Sequence, residues 1–308
     1  VILVLSGGTG GSKMVDGVAQ VAGQSQLTAI VNTGDDSDFY GLRVCPDLDI
    51  CTYVLAGTID ARGWGYASDT FRCLEGLSTY GLDAWFGLGD RDLATHLFRT
   101  IRLGAGLTLD QISREICAAL GVQATLLPMT NDPVHTRITT PTGVLAFQEY
   151  LVKGGAKEEI LSIAFDGIET ASPAPGVLEA IATASTIVIA PSSPIVSIGT
   201  IVAVPGIRDA LRARRADCVA VSPIIGGKPV EGPAHRFLAG AGYSECSATQ
   251  MARLYADIAG TFLLDTRDAG EVPVIEALGV RAVLRDILMP DRTQRARLAD
   301  EVLAAVRI

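Results

Sequence analysis

Several short stretches of the chain carry the residues able to do chemistry. The first is SGGTGGSK at residues 6–13, which follows directly on the apolar run VILVL. Glycines let a backbone approach an anion closely, and a helix opening behind them turns its first N–H groups toward it. The spacing matches neither standard phosphate motif. A Walker loop needs four residues between its glycine and Gly-Lys-Ser/Thr, and the dinucleotide fingerprint needs a glycine where Lys13 stands. Gly8, Thr9, Gly10, Gly11 and Lys13 are therefore read as an anion cradle of another kind. The second stretch, VNTGDD, supplies Asn32, Asp35 and Asp36, and CPDLD adds Asp47 and Asp49 after a short loop. A carboxylate here could hydrogen-bond a ribose or hold Mg²⁺, which takes one or two carboxylates together with phosphate oxygens. So many acids beside a phosphate-type loop favour the metal.

Two later loops repeat the cradle theme. APSSPIVSIG gathers Ser192, Ser193, Ser197 and Gly199 around Pro194, and SPIIGGKPVEGP adds the charge of Lys228. Together with the first loop they suit more than one phosphate, or a nucleotide with a long acyl-phosphate tail. GLGDRDLATH places Asp90, Arg91 and Asp92 at a helix start. Aspartate there is expected as a cap, but a cation opposes the helix dipole, so Arg91 is assigned to a ligand or partner. His96, one turn further, reads as a helix-surface or satisfied core histidine. Asn131 and Asp132 form a polar corner before Pro133, equally suited to turn chemistry and to ligand binding.

The elements that must position these residues alternate between strand and helix at both ends of the chain. VILVLS, LTAIV, STIVIA, DCVAVS and GTFLLD read as strands, with helical spacing between them. This alternation implies a parallel sheet with right-handed crossovers. The expected fold is α/β, a Rossmann-like and mainly parallel sheet within a single domain spanning 1–308. It carries a helical insertion at about 62–122 and a β hairpin at about 124–152, turning at Thr140–Gly143. Sheets of this type bind ligands at the carboxyl ends of their strands, which is where most of the stretches above would emerge.

Composition narrows the class. The chain has 308 residues, 48% hydrophobic and 19% charged, with a net charge of −9. That balance argues against nucleic acid and anionic membranes as partners. No run reaches the roughly 18 apolar residues of a spanning helix, and the apolar start lacks a basic n-region, so it reads as a core strand and not a signal peptide. Six cysteines without a C-x-x-C pair, and three scattered histidines, argue against zinc and against a disulfide framework. They read as reduced cysteines of a cytoplasmic protein.

In order along residues 1 to about 300, SGGTGGSK, VNTGDD, CPDLD, LGDRDLATH, LPMTNDP, APSSPIVSIGTIVAVPGIRDAL and VSPIIGGKPVEGPA resemble the 2-phospho-L-lactate transferases of deazaflavin coenzyme (F420) biosynthesis. The resemblance implies transfer of a phospholactyl or phosphoenolpyruvyl group from a guanosine diphospho-acyl donor to the ribityl hydroxyl of the deazaflavin precursor Fo, with release of GMP. It implies Mg²⁺ as cofactor, held by Asp35, Asp36 and Asp49. Asp49, Asp36 and Arg91 become the catalytic candidates, with Asp49 and Arg91 as the pair contacting Fo. The 6–13 and 192–199 loops become the donor-phosphate cradle, and 222–233 a candidate for the guanosine side. Gly11-Ser12 leaves the donor's acyl group open between lactate, enolpyruvate and another three-carbon acid, and a homodimer is expected. Two rivals stand beside this reading: a non-catalytic nucleotide-sugar-binding metabolic regulator of the same fold, and an NAD-type oxidoreductase, against which the broken glycine fingerprint counts.

Overall fold

A computed structural model describes residues 1–306. The apolar start forms strand β1 (Ile2–Ser6), followed by helix α1 (Gly8–Ala22) and strand β2 (Leu27–Val31). β1 is buried at every position, as a strand with helices on both faces must be. Beyond β2 the chain leaves the sheet. A hairpin of β3 (Ser37–Phe39) and β4 (Leu42–Val44) leads into α2 (Pro46–Leu55), which has its proline in the first turn. Then come the helices of the expected insertion: α3 (Arg72–Thr79), α4 (Asp90–Gly104) and α5 (Leu109–Ala119).

The next strand corrects the sequence reading. β5 (Thr125–Pro128) is not part of a hairpin but pairs in parallel with β2. The helical insertion therefore sits inside a single β2-to-β5 crossover, and the apolar run of β5 is that of an edge strand of the main sheet. The hairpin is β6 (His135–Thr140) with β7 (Gly143–Ala146), turning at Thr140–Gly143 as expected. β8 (Ser162–Asp166) lies antiparallel on the other edge of β6, so the small β element has three strands.

The βα rhythm resumes with α6 (Val177–Thr183), β9 (Thr186–Ile189), α7 (Ile198–Ala203), α8 (Ile207–Ala213) and β10 (Cys218–Val221). A two-residue ladder of β11 (Ile224–Ile225) and β12 (Lys228–Pro229) precedes α9 (Ala234–Gly240) and α10 (Ala248–Tyr255). β13 (Thr261–Asp265), α11 (Val272–Glu276), β14 (Arg281–Arg285) and α12 (Arg292–Val306) complete the described chain.

The main sheet has the order β14-β13-β10-β9-β1-β2-β5, with all neighbours parallel. Alternation along β1 divides the core. Leu3 and Leu5 join one apolar cluster with Ile187, Ile189 and Phe262, whereas Ile2 and Val4 join another with Val15, Val18 and Leu298. Chain order reverses between β1 and β9, which makes the carboxyl ends of these two strands the topological switch point and the expected crevice. The helical insertion and the small β sheet contribute further clusters, around Phe39 and Leu88 and around Ile138, Tyr150 and Phe237. Among the described residues no helix is long and apolar enough to cross a membrane, and all six cysteines are unbridged.

Candidate active site

A cavity of about 570 Å³ opens at this switch point. On one side the turn after β1 meets the loop after β9. Gly7 N–H donates to Ser192 Oγ at 3.2 Å, and Gly8 N–H donates to Asp47 Oδ1 at 2.8 Å. A Cβ on Gly10 would lie 2.4 Å from the Pro191 carbonyl oxygen, and one on Gly11 would lie 2.5 and 2.6 Å from the Ser6 and Ser192 hydroxyls. Glycine is needed here because two backbones pack directly against each other. Gly8, Thr9, Gly10, Lys13, Ser192, Ser193 and Ser197 all face the cavity, so the two expected cradle loops come together. Gly11 and Gly199 stand behind this wall, where the Pro194 carbonyl oxygen leaves no room for a Cβ on Gly199.

The floor is acidic. Asn32 is its hub: Nδ2 donates to Asp35 Oδ2 at 3.0 Å and to Asp47 Oδ2 at 2.9 Å, while Oδ1 accepts from Gly34 N–H at 2.9 Å. Asp35 and Asp47 both face the cavity. Burial, reinforced by the neighbouring Asp47 charge, pushes the Asp35 carboxyl well above its ordinary value. Burial likewise pushes Asp47 up to about 6, against hydrogen bonds from Asn32 and Gly8 that favour its charged form. Asp35 Oδ1 is buried without a partner. Asp36 turns away from the cavity toward the Cys45 thiol, and burial pushes its carboxyl up to about 8.

Asp49 does not lie on a turn. It sits in the first turn of α2, is buried, and is gripped at both oxygens by the guanidinium of Arg99, with Nη1 at 3.2 Å from Oδ2 and Nη2 on Oδ1. Arg99 is only 2% exposed. Burial disfavours its charge, but the Asp49 carboxylate outweighs that and holds it protonated above the ordinary arginine range. His96, 1% exposed, packs against the same pair: its Nδ1 lies 3.2 Å from Arg99 Nη1 and 3.6 Å from Asp49 Oδ2. Its Nε2 lies 3.2 Å from Asp92 Oδ1, which accepts the Tyr53 hydroxyl at 2.7 Å.

Several expected assignments change. Asp49 pairs with Arg99, and Arg91, expected beside Asp49 at Fo, does not line the cavity. Asp92, His96 and Arg99 lie at i, i+4 and i+7 on one face of α4, while Arg91 is one residue round the helix and exposed. The Arg91 N–H donates to the Asp69 carboxylate, and its guanidinium lies 4.9 Å from the centre of the Tyr66 ring. Asp90 caps α3 in return, accepting from the N–H groups of Arg72 and Cys73. Asn131 and Asp132 serve the turn chemistry: Asn131 exchanges hydrogen bonds with Asp110 at 2.8 and 3.0 Å, and Asp132 accepts from Ser172 N–H at 2.7 Å. Lys228 is exposed on β12 and does not reach the cavity. Its loop contributes Glu231 instead, which pairs with Lys13.

The expected trio of Asp35, Asp36 and Asp49 is not assembled, and among the described residues no three His, Cys, Asp or Glu side chains form a metal-binding group. Two carboxylates on one amide, Asp35 and Asp47, with an unpartnered oxygen and with Asp49 on the same cavity wall, nevertheless fit Mg²⁺, which completes its shell with substrate phosphate and water. Sequence reasoning missed Arg99 and Tyr53 and left His96 to packing. Asp92, His96 and Arg99 share an i, i+4, i+7 spacing on α4, but Tyr53 lies on α2 and carries no such mark. Sequence reasoning also missed the apolar part of the cavity lining, which includes Trp64, Phe86, Leu88, Phe147 and Leu151.

Comparison with known proteins gives a consistent answer. The family model described as 2-phospho-L-lactate transferase CofD matches residues 2–276. A phosphoenolpyruvate transferase of Streptomyces griseus is 45% identical over 309 residues, covering 98% of this chain and 97% of the relative. Another from Kitasatospora aureofaciens is 46% identical over 311 residues, with the same coverage of both chains. Among solved structures, a UPF0052-family protein from Bacillus halodurans shares the fold, with a TM-score of 0.65 at 19% identity over 98% of each chain.

Proposed function

Because the chain belongs to the CofD family of 2-phospho-L-lactate transferases, we propose that it moves a three-carbon phosphoacyl group from a guanosine diphospho-acyl donor to the ribityl hydroxyl of Fo, releasing GMP, in coenzyme F420 assembly. The names of its relatives favour phosphoenolpyruvyl over phospholactyl as the group moved. The observation that carries this reading is that one cavity is lined by two unlike sets of residues. A glycine and serine cradle suits a diphosphate, and a chamber of aromatic and aliphatic side chains suits a flat tricyclic ring.

The charge on the walls supports the metal. Asp35, Asp47, Asp49, Asp92 and Glu231 face the cavity, and Lys13 is the one Lys or Arg among the described residues that does. A diphosphate entering such a lining meets net repulsion unless a divalent cation accompanies it. Asp35 and Asp47 would hold Mg²⁺, with Asp49 beside them, and the ion supplies neutralisation of charge on the phosphate oxygens.

The chain's own residues do the rest. The start of α1 and the hydroxyls of Ser192, Ser193 and Ser197 bind and orient the donor phosphates, and Lys13 exchanges Glu231 for them. The apolar chamber holds the deazaflavin ring so that its ribityl tail points at the acyl-bearing phosphorus. The hydroxyl oxygen forms the new bond to phosphorus, the bond from phosphorus to the GMP oxygen breaks, and Asp49 accepts the hydroxyl proton. Positioning and charge neutralisation provide most of the acceleration in such displacements. Purified protein with Fo, Mg²⁺ and synthetic enolpyruvyl or lactyl donors should release GMP, and release should stop in excess EDTA. Tight donor binding without GMP release would favour the regulator instead.

A further inference from the structure

Arg99 does not line the cavity, yet its guanidinium is almost fully buried. A guanidinium removed from water costs several kcal/mol, and a helix–helix contact of the same volume is made as well or better by apolar side chains. All of its visible bonds converge on one task. Nη1 and Nη2 take the two oxygens of Asp49, and Nη1 also donates to the Arg43 carbonyl at 3.2 Å, which fixes the plane of the fork. His96 packs against the same fork, its Nδ1 3.2 Å from Arg99 Nη1 and its Nε2 3.2 Å from Asp92 Oδ1, and Asp92 accepts the Tyr53 hydroxyl. Asp49 also lines the cavity. The other buried aspartates of the floor, Asp35 and Asp47, share the Asn32 amide, and Asp47 also accepts the Gly8 N–H, in place of a cation.

We infer that Arg99 is a positioning residue: from behind the cavity wall its fork, braced by His96, holds Asp49 in the one orientation that meets the acceptor hydroxyl. The inference rests on the transferase reading above. A neutral or single-point replacement lets the carboxylate rotate away from the attacking oxygen, and a misplacement of about 1 Å costs on the order of 100-fold in rate. Arg99 makes no hydrogen bond to the donor cradle, whose contact with α2 runs through Gly8 and Asp47, so donor binding is expected to change little.

The test is steady-state GMP release by wild type, Arg99→Met and Arg99→Lys, with thermal melting of each. Arg99→Met should lose about 100-fold in kcat while the donor KM stays within about twofold. Arg99→Lys, which restores the charge without the fork, should recover only part of that loss even where its melting temperature matches wild type. Wild-type kcat in either folded variant overturns the inference. So does a loss of rate that merely follows the fraction folded, since that marks a structural ion pair. Wild type that releases no GMP removes the transferase reading itself, and the role of Arg99 with it.

Discussion

The two walls of the cavity reach the same end by opposite means. The wall at the β1 and β9 ends presents mostly neutral groups: backbone N–H, serine hydroxyls and glycines whose absent side chains let Pro191 and Ser192 approach α1. The wall made by α2 and α4 works with buried charge, Asp47 and Asp49 on one helix facing Asp92, His96 and Arg99 on the other. The neutral wall is set by local chain geometry, and it is intolerant of added atoms. The charged wall is set by tertiary pairing between helices some fifty residues apart, and it is intolerant of a lost partner. Such a division suits a transfer in which one substrate arrives carrying its charge and the other must give up a proton.

The contrast can be broken most severely at Asp49. Asp49→Asn should lower GMP release by about 10²–10⁴-fold, the usual worth of a positioned proton acceptor. It should also destabilise the fold by about 3–5 kcal/mol, because Arg99 is left as a buried charge without its counter-ion. A variant of unchanged stability in chemical denaturation would mean that the ion pair is not formed. On the neutral wall, Gly10→Ala drives a Cβ into the Pro191 carbonyl. The expected cost is about 1–3 kcal/mol, with donor affinity falling more than Fo affinity in calorimetry. Equal losses for both ligands would contradict the assignment of that wall to the donor.

A further effect expected is a pH dependence of stability. The Asp36 carboxyl rises from an ordinary 3.8 to about 8 through burial, so the folded state binds a proton that the unfolded state releases. This preference is fully present below about pH 4 and is lost as the pH rises to about 8. Melting temperature should decline across that window, and Asp36→Asn should flatten the decline and leave the protein more stable than wild type at pH 8. An identical slope in the variant would place the effect elsewhere.

Much of the neutral wall could be read from the chain. Glycines and serines directly after buried apolar runs announce strand ends, and the reversal of strand order then brings the first and fourth of them together. The charged wall was legible only as a set of residue types. GDRDLATHLFR offers two arginines, and which of them turns inward depends on how α4 packs against α2, information carried by contacts and not by local pattern. Asp36 and Asp35 are equivalent in the sequence, yet a single peptide step points one at a cysteine and the other into the cavity. Asn131 and Asp132 show the converse. Their composition suits a ligand, but α5 and the Ser172 backbone take their hydrogen-bonding capacity. β5 was misplaced because a short apolar run beside a true hairpin carries no mark of which sheet it joins.

The central claim is that this cavity grips a diphosphate only together with a divalent ion held by the Asp35–Asp47 pair. Calorimetric titration of the protein with GDP, in Mg²⁺ and then in EDTA, tests it most directly. The account predicts saturable one-to-one binding with Mg²⁺ that is lost in EDTA and in Asp35→Asn. Equally tight binding in EDTA would contradict it.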